Sequence, residues 1–307
     1  MSLQLQSPGT SQCRIDPMSM AYNGEGKIFR MMRQTSWGPE LLNLGYYPTF
    51  GGLGVLFNGL RTLATAQWRL VHNSIALTGI QPDDHVLDVA CGRGGSAFML
   101  RHSTHAEVVY GIDLLEENIE IAKRIFPPDS RLIFQLGDAQ QLPFKDEHFD
   151  KILCCEAAFH FPDRGQFLKE AFRVLKPNGR LVVVDFVWRT PEHRECRNSD
   201  LGKVVRRVWG WDDMSSECEY RAMAAHAGLK IVKIRDWTKP VTTSIQQLSE
   251  TVVWLQRRRW GRWILKRRYP MLASLTGDDW KQIRLEAAAH RFLHDHTYYK
   301  AIVCEKR

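Results

Sequence analysis

Val86-Leu-Asp-Val-Ala-Cys-Gly-Arg-Gly-Gly-Ser96 is the stretch that decides the fold. An apolar run broken only by Asp88 reads as a buried strand, His85–Ala90. A glycine-rich turn follows, and then a helix that starts over Ser96–His102. Glycines at 92, 94 and 95 let the backbone turn sharply and lie close to a ligand. A strand that feeds a glycine turn and a helix is the opening unit of a parallel α/β sheet.

Working outward, residues 81–190 keep alternating short apolar runs with helical periodicity. Strands are expected at Glu107–Ile112, Arg131–Leu136, Phe149–Cys155 and Arg180–Phe186. Helices are expected at Glu116–Ile125 and at Gln166–Leu175, the latter stopped by Pro177-Asn178-Gly179. A helix over Glu217–Ala227, capped by Gly228, leads to a sixth strand at Lys230–Arg235, and Tyr298–Cys304 supplies a seventh. Residues 1–20 read as a disordered tail and 21–80 as a helical lid, with Leu60–Ile80 its clearest helix. The α/β core spans 81–238, and 239–296 form a helical cap inserted before the final strand at 297–307. Extra helices before and late in such a sheet cover the carboxyl edge of its strands, where ligands bind.

The pattern Gly92-x-Gly94-x-x-Ala97 alone also fits a dinucleotide loop. Charge separates the possibilities. A pyrophosphate on this loop would be repelled by Asp88 just before the glycines. Two further acids end the next strands: Asp113 is placed for ribose hydroxyls, and Asp138-Ala139 for an adenine amino group. Three carboxylates at three successive strand ends suit a nucleoside that lacks phosphate and carries positive charge. S-adenosyl-L-methionine, with its amino group and sulfonium, is such a molecule.

On these residues the sequence resembles the class I S-adenosylmethionine-dependent methyltransferases of the small-molecule type, the ubiquinone/menaquinone, sterol and antibiotic-sugar enzymes. The resemblance covers about residues 40–240. It rests on Val86–Gly95, Gly111-Ile-Asp113, Gly137-Asp-Ala-Gln-Gln-Leu-Pro-Phe144, Phe149-Asp150, Glu156-Ala-Ala-Phe-His-Phe-Pro-Asp163 and Glu170–Gly179. It implies a Rossmann-like seven-stranded sheet with helices on both faces, a helical cap and an antiparallel last strand. It further implies that Asp88, Gly92 and Gly94 hold the methionine part, Asp113 the ribose, and Asp138 with Ala139 the adenine, with Glu156 also at the cofactor. Asn43-Leu-Gly-Tyr46-Tyr47 resembles an element that closes the cofactor pocket in some members, which adds Tyr47.

The methyl donor is already activated, so the protein chiefly positions an acceptor and excludes water. An alcohol or phenol acceptor must also lose a proton. His160 follows the fourth strand and Asp185 lies near the end of the fifth, so both are expected to face one crevice, His160 as base and Asp185 orienting it or the acceptor. Related O-methyltransferases often carry a histidine at the position of Phe159, so His160 is either a base one residue displaced or a packing histidine. His290 and His294 share a helical face without an acidic partner between them. They read as a partly exposed helix face, and no metal site is expected.

Composition sets the remaining bounds. At 307 residues, 44% hydrophobic and 25% charged, the chain has the profile of an ordinary globular protein. Seven cysteines without regular spacing argue against a disulfide framework, and adjacent Cys154 and Cys155 should point to opposite faces of a buried strand. No signal pattern opens the chain and no run spans a bilayer, so a cytoplasmic location is expected. The net charge of +8 is local: residues 241–307 hold thirteen Lys and Arg against six Asp and Glu. The segment 254–269, rich in Trp and Arg, fits three uses. It is either a cap helix whose tryptophans line an apolar acceptor pocket, a cap that also touches a membrane surface, or a nucleic-acid face. The signatures of base-methylating enzymes are absent after the fourth strand, which leaves nucleic acid least favoured. The expected reaction is methyl transfer to a small apolar or amphipathic metabolite, with oxygen ahead of carbon or nitrogen. An RNA methyltransferase or a non-catalytic cofactor-binding protein are the alternatives.

Overall fold

A computed structural model describes residues 41, 43–47, 60–210, 213–268 and 275–307. The expected tail at 1–20 and most of the lid before Leu60 lie outside the described residues. The elements in chain order are α1 (Leu60–Thr78), β1 (His85–Val89), α2 (Gly95–Ser103), β2 (Val108–Asp113), α3 (Glu116–Ile125), β3 (Leu132–Leu136) and β4 (Phe149–Cys155). A short 3₁₀ turn, Ala158–His160, precedes α4 (Arg164–Val174), β5 (Leu175–Trp188) and a second 3₁₀ segment, Pro191–Asn198. The chain continues through α5 (Asp200–Trp209), α6 (Glu217–His226), β6 (Leu229–Asp236), α7 (Thr238–Gln256), α8 (Arg259–Arg268), α9 (Gly277–His296) and β7 (Thr297–Lys306).

Among the described residues seven strands form one sheet in the order β3-β2-β1-β4-β5-β7-β6. β7 runs antiparallel to both its neighbours, and β1 to β5 are mutually parallel. This is the Rossmann-like, seven-stranded architecture expected from the strand pattern. The chain winds outward from β1 to β3, returns, and restarts at β4 on the other side of β1. That reversal opens a crevice at the carboxyl edge of β1 and β4.

Both sheet faces are buried, which is why the strands read as unbroken apolar runs. Val86, Val182, Val184 and Phe186 join one core layer. Leu87, Val89, Leu181, Val183 and Val187 join the other. Cys154 belongs to the second layer and Cys155 packs against the first, as period-two alternation requires. Each fully buried aliphatic side chain of this kind contributes about 1.5–3 kcal/mol.

Three local departures from expectation have physical causes. α4 ends at Val174, before Pro177, and the chain pairs at once as β5. Lys176–Gly179 then bulge outward between the pairs Phe149–Leu175 and Lys151–Arg180, with Asn178 at φ 62°. β5 also runs on to Trp188, because β7 stays paired with it from Arg180 to Trp188. His290 and His294 are buried rather than partly exposed; their rings meet, Nε2 of His294 to Nδ1 of His290, at 3.2 Å. Burial pushes His290 down to about 4, and burial together with the neighbouring His290 holds His294 well below the ordinary histidine value, so both are neutral.

Candidate functional site

The crevice above β1 and β4 is a cavity of about 870 Å³. That lies toward the upper end of the ~300–1,000 Å³ usual for small-molecule sites. Gly92, Asp113, Asp138, Ala139, Glu156 and His160, all expected from the sequence, line it together. Ala90, which follows β1, and Glu156, which follows β4, both take left-handed backbone at φ 56° and φ 53°. Such non-glycine conformations cost about 1–3 kcal/mol and gather where a ligand must be approached. Here they turn two neighbouring strands sharply away from the sheet edge.

Asp113 ends β2 and ties the glycine turn to α3. Its Oδ2 accepts from the Gly92 N–H at 2.9 Å, and its Oδ1 from the Leu115 N–H and the Asn118 side chain at 2.9 and 3.1 Å. Burial nevertheless raises its pKa. Asp138 accepts from the Gln140 N–H at 2.8 Å, which holds the Asp138–Gln140 turn against the cavity.

Glu156 receives the hydroxyl of Tyr299 at 2.6 Å and the Leu44 N–H at 3.1 Å. Burial lifts it from the ordinary carboxylate value to about 7, against these donors. A cation placed beside it would relieve that penalty. The amino group and sulfonium of S-adenosylmethionine are such cations, and Asp113 and Asp138 bring two further carboxylates to the same cavity. The lining residues therefore fit that nucleoside.

Leu44 belongs to a strap over the cavity. Tyr46 N–H bonds Ala66 O, Tyr47 N–H bonds Pro240 O, and the Gln67 amide holds the Asn43 carbonyl at 2.7 Å. Gly45, at φ 85°, passes so near α1 that a Cβ would lie 2.8 Å from that of Ala66.

Four expected site residues are placed elsewhere. Asp88 is not at the cavity surface: it shares the sheet face of Val86, lies under the start of α2, and accepts from the Ser96 hydroxyl at 2.5 Å. Burial raises it to about 7. Gly94 does not touch the cavity either. With φ 86°, it sits where a Cβ would come within 2.7 Å of the Phe134 ring, so it is required for packing. Tyr47 is buried beside Glu156 but does not line the cavity, and its hydroxyl has no hydrogen-bond partner among the described residues.

Asp185 corrects the expected pair with His160. It is mid-strand, since β5 continues three residues beyond it, and its side chain points into the core layer of Leu181 and Val183. There it accepts from the Tyr220 hydroxyl and from the Phe186 and Phe159 N–H groups. It is completely buried and raised to about 7. It fixes the Ala158–His160 turn from beneath rather than facing the crevice.

That turn resolves the displaced histidine. Phe159 packs inward on Phe186, ring centroids 6.0 Å apart, while His160 lines the cavity. The His160 ring bonds the Gly210 carbonyl, and burial lowers its pKa to about 3, so it is neutral. With Nε2 donating to that carbonyl, the ring's lone pair is on Nδ1, which is buried from solvent.

The wall contributed by α5 is missing from the sequence reading. Lys203, Arg206, Arg207 and Gly210 line the cavity, with Leu41 and Asn43 of the strap. The signal was present: Ser199 caps α5, and Leu201, Val204, Val205 and Val208 repeat at helical spacing against the core. The cap between β6 and β7 is helical, yet none of its described residues lines the cavity. Leu255 and Leu265 face inward, while Trp254, Trp260 and Trp263 are 46%, 52% and 62% exposed. The tryptophans therefore do not line an acceptor pocket.

Comparison with known proteins agrees with this geometry. Residues 87–183 match the family described as Methyltransferase domain. The chain is 33% identical over 200 residues to 27-O-demethylrifamycin SV methyltransferase of Amycolatopsis mediterranei, covering 62% of this chain and 71% of that protein. It is 37% identical over 219 residues to methyltransferase GfsG of Streptomyces halstedii, covering 65% and 76%. In fold it is similar to a protein of Galdieria sulphuraria named as a sarcosine dimethylglycine methyltransferase. The TM-score is 0.69 and the identity 16%, over 90% of this chain and 97% of that one. Solved structures of the same fold hold S-adenosylmethionine or S-adenosylhomocysteine. With a cavity built for that nucleoside, this chain belongs to the Methyltransferase domain family, as an enzyme that uses S-adenosylmethionine to methylate small molecules.

Proposed function

We propose that the acceptor is a hydroxyl group on an apolar or amphipathic metabolite, and that His160 receives its proton. The observation that carries the proposal is the presence of a neutral His160 in the cavity that also holds Glu156 and Asp113. When bound, S-adenosylmethionine would supply a sulfonium-borne methyl carbon open to attack by the hydroxyl oxygen: the O–C bond forms, the C–S bond pair leaves on sulfur, and the hydroxyl proton goes to His160. Glu156 and Asp113 would hold its methionine and ribose parts, and Asp138 with Ala139 its adenine. Asp88 and Gly94 act by shaping the glycine turn, and Tyr47 by packing beneath the strap beside Glu156. Asp185 is a positioning residue for His160, through the Phe159 N–H.

A depressed histidine is a weak base, but it suffices for this reaction. As the oxygen gains a methyl group its proton becomes strongly acidic, and a weak, well-placed acceptor removes it. The name of the relative from Amycolatopsis mediterranei specifies an acceptor that lacks an O-methyl group, 27-O-demethylrifamycin SV, which supports oxygen over carbon or nitrogen. Incubation with S-adenosylmethionine and an extracted metabolite pool, followed by mass spectrometry, tests the proposal. A methyl ether is expected among the products, and a product methylated on carbon or nitrogen would refute the oxygen assignment.

The location proposed is cytoplasmic, with peripheral membrane contact through 254–269. No described helix is long and apolar enough to cross a membrane. What supports surface contact is the exposure of Trp254, Trp260, Trp263 and Ile264 among exposed Arg257, Arg259, Arg262, Lys266 and Arg267. Tryptophan beside cationic side chains suits the headgroup region of an anionic bilayer.

A further inference from the structure

We propose that the α5 wall of the cavity binds an anionic group of the acceptor, a carboxylate or a phosphate, and so selects an anionic amphiphile. The inference rests on the hydroxylated amphiphile proposed above. Lys203, Arg206 and Arg207 stand at i, i+3 and i+4, so they share one helix face, and all three line the cavity. The opposite face is fixed: Val205 and Val208 are buried in the core layer. At the start of the helix Ser199 caps the Gly202 N–H at 3.1 Å, and a Cβ on Gly202 would lie 2.4 Å from the Cys196 carbonyl. α5 is thus a rigid mount, packed along α9.

Charge in the cavity is divided by wall. The carboxylates Asp113, Asp138 and Glu156 come from the ends of β2, β3 and β4, where the cationic cofactor is held. The cations come from α5. Arg206 and Arg207 lie in its last turn, where basic residues complement the helix dipole; that accounts for their type but not for Lys203 joining them at the cavity. Lys203 lies 3.6 Å from exposed Asp200, a contact that water screens.

α5 is also registered to the proposed base. Gly210, its left-handed C-cap at φ 65°, accepts the hydrogen bond from His160. At 1.5 Å per residue, Arg207, Arg206 and Lys203 stand roughly 4.5, 6 and 10 Å along the helix axis from that anchor. The acceptor's anion and its reacting hydroxyl should therefore be separated by a span on the order of 5–10 Å.

Calorimetry on the full chain saturated with S-adenosylhomocysteine tests this without turnover. The probes are decyl phosphate, decanoate and decanol, each below its aggregation concentration. At least one anion is expected to bind tenfold or more tightly than decanol. Lys203→Gln, Arg206→Gln and Arg207→Gln together should reduce that preference below threefold, and Arg207→Gln alone, at an exposed position, by about threefold. S-adenosylhomocysteine affinity should change less than twofold in both. Phosphate favoured over carboxylate, or the reverse, names the headgroup; either supports the proposal. Anion binding that is absent, or no tighter than that of decanol, overturns it. So does loss of S-adenosylhomocysteine affinity in the variants, which would show that the cations hold the cofactor's own carboxylate. Because no reaction is read, a failure of oxygen methylation leaves this result standing.

Discussion

Tyr299, on the last strand, donates its hydroxyl to Glu156, the residue that leaves β4 in left-handed backbone, at 2.6 Å. The antiparallel end of the sheet thereby fixes the most exacting carboxylate of the cofactor cavity. Tyr299→Phe removes that donor from a buried carboxylate, a loss on the order of 1–3 kcal/mol. S-adenosylmethionine affinity is expected to fall about tenfold by titration calorimetry, while the far-ultraviolet circular dichroism stays unchanged.

The same carboxylate makes cofactor binding depend on pH. Glu156 in the free protein titrates at about 7, raised by burial. Below that value it is largely protonated and a bound cation favours the ionised form, so binding releases a proton. Affinity should rise from pH 6 to pH 8 and then level off. Calorimetry in buffers of different ionisation enthalpy should detect proton release at pH 6 and little at pH 8. Glu156→Gln should flatten the profile.

His160→Ala and Asp185→Asn separate contact from positioning. Loss of a positioned proton acceptor costs about 10²-fold or more in kcat. His160→Ala is expected to lose at least that with S-adenosylmethionine affinity intact. Asp185→Asn leaves donors from Tyr220, Phe186 and Phe159 poorly matched, so it should lower both kcat and the urea midpoint. Unchanged turnover for His160→Ala at saturating acceptor would exclude the base.

Gly94→Ala probes the turn itself. A left-handed alanine costs roughly 1–2 kcal/mol. Contact with the Phe134 ring at 2.7 Å adds overpacking strain of about 1–3 kcal/mol. Urea unfolding should show a loss within the sum of these ranges. Cofactor affinity measured on the folded fraction should fall far less, since Gly94 packs the helix and does not line the cavity.

The exposed tryptophans give a separate outcome. Vesicles of three parts phosphatidylcholine to one part phosphatidylglycerol should sediment the protein, less so at 0.5 M salt. Trp260→Ala with Trp263→Ala should reduce binding at least fivefold. Salt-sensitive binding to RNA without vesicle binding would turn the surface into a nucleic-acid face.

Much of this molecule is legible in its sequence because buried parallel strands and glycine turns write strong local patterns. All seven strands are legible that way, with Asp113 and Asp138 at two of their ends; Glu156 is legible only through the family resemblance. Asp185 was misplaced because the apolar run hides where β5 ends, which long-range pairing with β7 decides. Period-two alternation would have placed Asp88 with Val86, facing a helix rather than the edge. The tryptophans misled because an amphipathic helix does not announce which of its apolar residues face inward; here the leucines do. α5 was passed over although its cap and valine spacing were readable, and with it went three cations of the cavity.

The cavity at the ends of β2, β3 and β4 suits a cationic, phosphate-free nucleoside. Titration calorimetry with S-adenosylmethionine and, separately, NADH tests it most directly. S-adenosylmethionine should bind one molecule per chain, with NADH giving no heat of binding. Binding of NADH with none of S-adenosylmethionine would show a dinucleotide site instead.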